Sequence, residues 1–305
     1  MVVVMCMKDV LNECRLCPRN CSVNRNCGEL GYCLAPDEIT IAKYYLHEWE
    51  EPCITGKNGS GTIFFTYCNL KCLFCQNYKI STLNYGKKIS IDRFSDICLE
   101  LQDIGATNIN LVTPTHFVPL IIDGIKLAKS RGLIIPIVYN SSGYENVDTI
   151  KMLNGIVDVY LPDLKYYSDE YAIKYSKCRD YFKYATLAID EMVRQKGSCK
   201  FDNDGNMISG VIVRHLLLPG MEEDSKKILK YLYSNYGDKI YISIMNQYTP
   251  IRKCEYDELN DKISDKVYEE VIDYAWNLGI ENAFIQEEGT QSESFIPDFD
   301  LDKLS

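Results

Sequence analysis

The chain lacks any apolar run near the roughly 20 residues that a membrane-spanning helix needs, which argues against a membrane role. It also lacks the basic start and length of a signal peptide, opening instead on Met-Val-Val-Val-Met-Cys-Met. A cytoplasmic location is expected on both counts. An excess of basic residues is missing as well: 33 Lys and Arg stand against 43 Asp and Glu, a net charge of -10. Nucleic-acid partners usually meet a basic face that repays counterion release, so this balance argues against them. There is no low-complexity stretch and no repeated glycine fingerprint of the kind that cradles a dinucleotide.

What is present is cysteine. The 305 residues carry 14 of them, ten before position 76. In a reducing compartment thiols stay free, and clustered cysteines bind metal more often than they form disulfides. Cys98, Cys178, Cys199 and Cys254 are scattered without near partners and are read as ordinary thiols. With 46% apolar residues the chain can bury a core of its own.

Residues 1–55 hold most of the cysteines and little apolar periodicity, so they are expected to form a small metal-stapled segment ahead of a larger unit over 56–305. In that larger unit six strand-like runs recur: 61–67, 108–112, 134–139, 157–161, 211–217 and 240–244. A seventh, 283–286, precedes an acidic tail. Helical spacing fills the intervals. Phe94, Ile97, Cys98 and Leu101 fall at i, i+3, i+4 and i+7, closed by Gly105, and similar patterns cover 120–130, 180–195, 225–234 and 262–278. Strand-helix alternation implies parallel strands with right-handed crossovers. The fold expected is α/β, a partial (β/α)6 TIM-like barrel behind a cysteine-rich amino-terminal segment. Ligands then gather at the carboxyl ends of the strands.

Directly after the first of these strands stands Cys68-Asn-Leu-Lys-Cys72-Leu-Phe-Cys75-Gln-Asn77. Three thiolates on one short loop can hold three corners of an iron-sulfur cube and leave the fourth iron open. A zinc site would want a fourth ligand, and no histidine is in register. Upstream, Cys14-x2-Cys17-x3-Cys21 with Cys33 supplies four thiols, enough for a closed site. Spacing alone does not separate zinc from a second iron-sulfur cluster there.

The C-x3-C-x2-C spacing, with Phe74 before its last cysteine, closely resembles the radical S-adenosylmethionine superfamily. Further stretches are similar to its PflX-like branch of pyruvate formate-lyase activating enzyme homologues. They are Gly59-Ser-Gly-Thr-Ile-Phe-Phe65, Cys75-Gln-Asn-Tyr78, Asn110-Leu-Val-Thr-Pro-Thr-His116, Tyr160-Leu-Pro-Asp-Leu-Lys165, Arg214-His-Leu-Leu-Leu-Pro-Gly220 and Ser292-Glu-Ser-Phe-Ile-Pro-Asp-Phe299. The resemblance spans nearly the whole chain. It implies a [4Fe-4S] cluster on Cys68, Cys72 and Cys75 that reductively cleaves S-adenosylmethionine (SAM) to a 5'-deoxyadenosyl radical, which takes hydrogen from a substrate. It further implies cofactor contacts at Phe74, Asn77, Thr113, Thr115, His116, Asn140, Ser142, Asp163, Lys165 and Arg214. Where relatives carry a Gly-Gly-Glu loop this chain reads Thr113-Pro-Thr-His116, so the carboxylate is absent and hydroxyls or a backbone carbonyl must serve. Arg214 and His215 point to opposite faces of their strand, and the resemblance implies that Arg214 is the inward member. Asn246-Gln-Tyr248 and Gln286-Glu-Glu288 are placed to meet substrate.

The leading specific reaction is abstraction from a glycine of a partner enzyme, with a flavodoxin- or ferredoxin-like protein as reductant. Modification of another peptide, an RNA or a metabolite is the alternative. From a different class, a non-enzymatic iron-sulfur protein for electron transfer or sensing predicts a fully protein-ligated cluster indifferent to SAM.

Overall fold

The structure, a computed structural model, describes residues 7–286 and 297–299. Strand β1 (Ile39–His47) leads through a one-turn helix α1 (Pro52–Thr55) into β2 (Ser60–Phe65), buried along its whole length. A short helix α2 (Tyr78–Ser81) and the strand β3 (Lys87–Ile89) follow. Helices and strands then alternate as α3 (Ile91–Asp103), β4 (Ile109–Val112), α4 (Val118–Ser130), β5 (Ile137–Ser141), α5 (Val147–Met152) and β6 (Val159–Pro162). The second half runs α6 (Asp169–Ser176), α7 (Tyr181–Lys196), β7 (Lys200–Phe201), β8 (Met207–Leu216), α8 (Glu222–Tyr236), β9 (Tyr241–Met245), α9 (Asp265–Leu278) and β10 (Ala283–Ile285).

The strands form one sheet in the order β10-β9-β8-β6-β5-β4-β2-β1-β3. Along this order every pairing from β2 to β10 is parallel, β1 joins β2 and β3 antiparallel, and β7, off this path, pairs β8 antiparallel. The edges β3 and β10 do not pair with each other among the described residues. The result is a partial barrel open on one side, as the strand-helix alternation implies.

Local chemistry explains the helices that clothe the sheet. Ser90 caps α3 by accepting a hydrogen bond from the Arg93 amide, and the stripe Phe94, Ile97, Cys98, Leu101 is buried to within 1% of full. Each side chain of Phe or Leu size so buried contributes about 1.5–3 kcal/mol. Helix α4 meets α3 across Gly124, where a Cβ would fall 2.4 Å from the Phe94 ring. Gly105 adopts φ +92° just past α3, the left-handed residue expected there.

Several boundaries move from the sequence expectation, each for a local reason. The run at 134–139 becomes a strand only from Ile137, because Pro136 cannot donate to a ladder. Ile134 is 87% exposed, and the amides of Ile134 and Ile135 are taken by the Gln102 side chain instead. Asn140 and Ser141 therefore lie inside β5. The sequence expectation groups residues 39–47 with the cysteine-rich segment; in the structure they form β1 and pair with β2 from Ile41 to His47. Among the described residues no helix is long and apolar enough to cross a membrane. Glu287, Glu288 and the acidic tail lie outside the described residues.

Candidate active site

The loop after β2 is bent by backbone rather than by glycine. Tyr67 and Lys71 adopt φ of +77° and +58°, left-handed conformations that non-glycine residues rarely hold without a functional reason. Between and after them stand Cys68, Cys72 and Cys75. Each sulfur accepts at least one hydrogen bond: Cys68 from the Leu70 amide (3.4 Å), Cys72 from the Ser176 hydroxyl (2.9 Å) and Cys75 from the Ser81 hydroxyl (3.3 Å). Donors aimed at sulfur stabilise thiolate over thiol and tune a bound iron-sulfur centre. Without a metal, burial pushes the Cys72 thiol up to about 12 despite the pull of Lys165. Iron in place of the proton removes that conflict.

The three cysteines open onto a cleft of about 320 Å³. It lies at the carboxyl ends of β2, β4, β5, β6, β8 and β9, where a parallel sheet gathers its ligands. The structure brings most of the expected residues to its wall: Phe74, Asn77, Thr113, Asn140, Ser142, Asp163, Lys165 and Arg214. Thr113 turns the chain off β4 with φ +59°, strained for a β-branched residue. The Asn77 side-chain oxygen is buried without any hydrogen-bond partner. An orphaned acceptor facing a cleft marks a place where a ligand's donor belongs.

Asp163 and Lys165 pair across the cleft wall at 2.6 Å. Burial opposes the charge of Lys165, but Asp163 and the Cys72 sulfur outweigh it and hold the ammonium above its ordinary pKa. Arg214 faces inward and His215 outward, as strand alternation requires. His215 bonds to the Leu164 carbonyl and Ser225, and burial pushes it down to about 4, so it is neutral near pH 7. The Arg214 guanidinium is engaged by Glu51, at 2.8 Å from Nε, and by Glu50. Glu50 also accepts from Asn110 at 2.7 Å.

Glu50 and Glu51 were missed in the sequence. They precede the first parallel strand, and only β1 and α1 carry them into the barrel lumen to meet a residue more than 160 positions away. The available signal was Arg214 itself, because a guanidinium pointing inward demands a carboxylate. Of the residues expected to meet substrate, Gln247, Tyr248 and Gln286 line the cleft.

Two expected cofactor contacts are not brought there. Thr115 donates to Glu145 at 2.6 Å behind the sheet, and His116 is 97% buried with Nε2 donating to the Thr66 carbonyl at 2.7 Å. Pro114 starts a helical turn that carries both away from the cleft. His116 instead lines a small cavity of about 20 Å³ together with Cys14, Cys17, Cys21 and Cys33. The four amino-terminal cysteines thus converge, at a place separate from the cleft.

A parallel partial barrel with a three-cysteine loop opening onto a polar cleft at its carboxyl face defines a class of cofactor-dependent enzyme. The chain belongs to the radical SAM superfamily, whose family model matches residues 62–232, more than half of it. Membership implies a [4Fe-4S] cluster and SAM as cofactors. The chain is 29% identical to an uncharacterized protein of Methanocaldococcus jannaschii over 286 residues, 90% of this chain and 78% of that one. It is also 29% identical over 125 residues to a putative glycyl-radical enzyme activating enzyme of the same organism, covering 41% of this chain and 50% of the other.

Among solved structures, SuiB of Streptococcus suis bound to S-adenosylmethionine superposes with a TM-score of 0.50 at 14% identity, covering 74% of this chain and 49% of SuiB. The FeFe-hydrogenase maturase HydG of Carboxydothermus hydrogenoformans gives 0.52 at 14% identity, covering 76% and 55%. The chain spans about half the length of those two proteins, and these likenesses show the fold alone.

Proposed function

We propose that Cys68, Cys72 and Cys75 hold the [4Fe-4S] cluster and that SAM occupies the adjoining cleft. One observation carries this reading: three sulfurs, each already receiving a hydrogen bond, face a single polar cleft at the carboxyl ends of the parallel strands. When bound, the cluster and SAM supply one-electron cleavage of a carbon-sulfur bond and a carbon radical able to abstract hydrogen. The chain's own residues bind and orient. Asn140 and Ser142 offer amide and hydroxyl groups to the ribose or the methionyl carboxylate. Thr113 presents its hydroxyl and backbone carbonyl where the methionyl amino group belongs. Asp163 and Lys165 would supply fixed charge to a cofactor bound in the cleft, and Phe74 and Asn77 line it beside the cysteine loop. Arg214, occupied by Glu50 and Glu51, acts on the cofactor through the shape of the lumen floor.

The substrate is a glycine of a partner protein, and a flavodoxin- or ferredoxin-like protein supplies the electron. Support comes from the likeness to the putative glycyl-radical enzyme activating enzyme and from the open side of the barrel. In the same reading the amino-terminal segment holds a further metal on Cys14, Cys17, Cys21 and Cys33. The test is anaerobic reconstitution with iron and sulfide, reduction with dithionite, and assay of 5'-deoxyadenosine from SAM. Formation that is lost in Cys72→Ala is expected. Equal formation in that variant overturns the ligand assignment.

A further inference from the structure

Hydrogen-bond donors surround the amino-terminal cysteines, but burial outweighs them and pushes the Cys17 and Cys33 thiols up, so thiolates there need a metal in place of the proton. Cys21 accepts from the Tyr32 amide at 3.3 Å, Cys14 faces the Arg25 guanidinium at 3.9 Å, and the backbone at Arg19 and Ala35 donates to Cys17 and Cys33. Gly31 is required for the approach, since a Cβ there would lie 2.8 Å from the Cys21 sulfur. Arg25 is 99% buried. Its guanidinium donates to the carbonyls of His116 (2.6 Å) and Pro36, its Nε has no partner, and no carboxylate pairs with it among the described residues. A buried cation without a counter-charge is costly. His116, on the same cavity, donates through Nε2 and leaves Nδ1 buried and unpartnered. Four thiolates around a divalent ion carry a net charge of -2, which supplies what Arg25 lacks.

The cavity is small, about 20 Å³. A space of that size is on the scale of one ion. As they stand, no three Cys, His, Asp or Glu side chains among the described residues are close enough to chelate an ion, so metal binding here would require the sulfurs to move inward. Tetrahedral coordination by four thiolates is the zinc preference.

The segment does more than fold itself. Arg19, between Cys17 and Cys21, donates to the carbonyls of Asn69 (3.0 Å), Ser176 (3.3 Å) and Lys177 (2.6 Å). Tyr32, next to Cys33, donates to the Leu70 carbonyl at 3.3 Å, and Arg19 stacks on its ring at 3.7 Å. Asn69 and Leu70 lie between Cys68 and Cys72, and Ser176 is the residue that bonds Cys72.

We propose that Cys14, Cys17, Cys21 and Cys33 bind one structural zinc ion, and that this centre positions the loop of Cys68, Cys72 and Cys75 through Arg19 and Tyr32. The positioning half rests on the cluster assignment above; the zinc half does not. Arg19 and Tyr32 are positioning residues, reaching the chemistry only through Asn69, Leu70 and Ser176.

Metal analysis of the full chain tests the zinc half. A triple variant with Cys68, Cys72 and Cys75 replaced by alanine is expected to retain one zinc per chain, a result independent of any radical chemistry. Cys17→Ser combined with Cys33→Ser is expected to lose it. Should that variant fail to fold, cobalt exchanged into the triple variant gives the intense visible bands of a tetrahedral tetrathiolate site. Iron and sulfide in the triple variant, no metal, or cobalt without thiolate bands overturns the zinc assignment.

For positioning, Arg19→Ala with Tyr32→Phe is expected to keep zinc and iron while lowering 5'-deoxyadenosine formation about tenfold. The electron paramagnetic resonance (EPR) signal of the reduced cluster with SAM is expected to broaden or shift. Wild-type rate and an unaltered signal overturn the positioning role. Absence of 5'-deoxyadenosine from the wild type as well marks failure of the cluster reading instead, leaving the zinc result standing.

Discussion

Two cysteine sites share one chain and are built oppositely. The loop after β2 turns three sulfurs toward a cleft of about 320 Å³, whereas the amino-terminal segment closes four around about 20 Å³. Sites that perform chemistry keep a coordination position open, and sites that hold a fold do not. The walls differ in the same sense. Around the loop stand polar side chains that line the cleft, among them Asn77, whose buried side-chain oxygen has no partner. Around the amino-terminal cysteines, buried cation and backbone donors point at sulfur and no room is left for a substrate. Ligand count and enclosure are therefore what the proposed assignment of one catalytic and one structural centre rests on, since cysteine spacing alone does not separate them.

The largest expected effect that would break this contrast is in Cys72→Ala. Cleavage of SAM should fall to the level of buffer while metal at the amino-terminal site is retained, measured on one sample by product assay and metal analysis. Next, Asp163→Asn leaves Lys165 without its partner and should raise the KM for SAM about tenfold, with zinc unchanged. Replacing Arg25 sharpens the other side. With metal bound, Arg25→Leu removes a cation that the thiolates need and should cost about 3 kcal/mol in denaturant unfolding. In chelator-stripped protein the same change should be neutral or stabilising.

The smallest effect concerns Glu145, which bonds Thr115 and Tyr139 and lies close enough for its charge to reach Cys17. Burial pushes its carboxyl up from 4.5 to about 8. Between those values the folded chain holds a proton that the unfolded chain has lost, so this contribution to stability is full below pH about 4.5 and falls away as pH rises to about 8. Glu145→Gln should remove that slope, a change on the order of a few kcal/mol across the window, measured by urea unfolding at several pH values.

The parallel strands were legible because they are short apolar runs separated by helical spacing, and the three-cysteine loop because its spacing is contiguous. Thr113, Asn140, Ser142, Asp163 and Lys165 were reached through the family resemblance, which assigns them by position at or near the strand ends. Contacts made across long sequence separations were not legible. Glu50 and Glu51 reach Arg214 only after β1 has been laid against β2, and β1 had no signal apart from a mixed run inside a cysteine-rich segment. His116 misled for a local reason: Pro114 makes a turn that looks the same in sequence whether it enters the cleft or leaves it. The clamp of Arg19 and Tyr32 on the cluster loop involves backbone carbonyls, which leave no side-chain signature at positions 69, 70, 176 and 177.

The central claim is that the cluster on Cys68, Cys72 and Cys75 keeps one iron open for SAM. EPR of the dithionite-reduced protein, recorded before and after addition of SAM, tests it most directly. The account predicts a [4Fe-4S]⁺ signal that changes shape when SAM is added and is missing from Cys72→Ala. A signal that SAM leaves unchanged would contradict it, because a fully protein-ligated cluster has no place for the cofactor to bind.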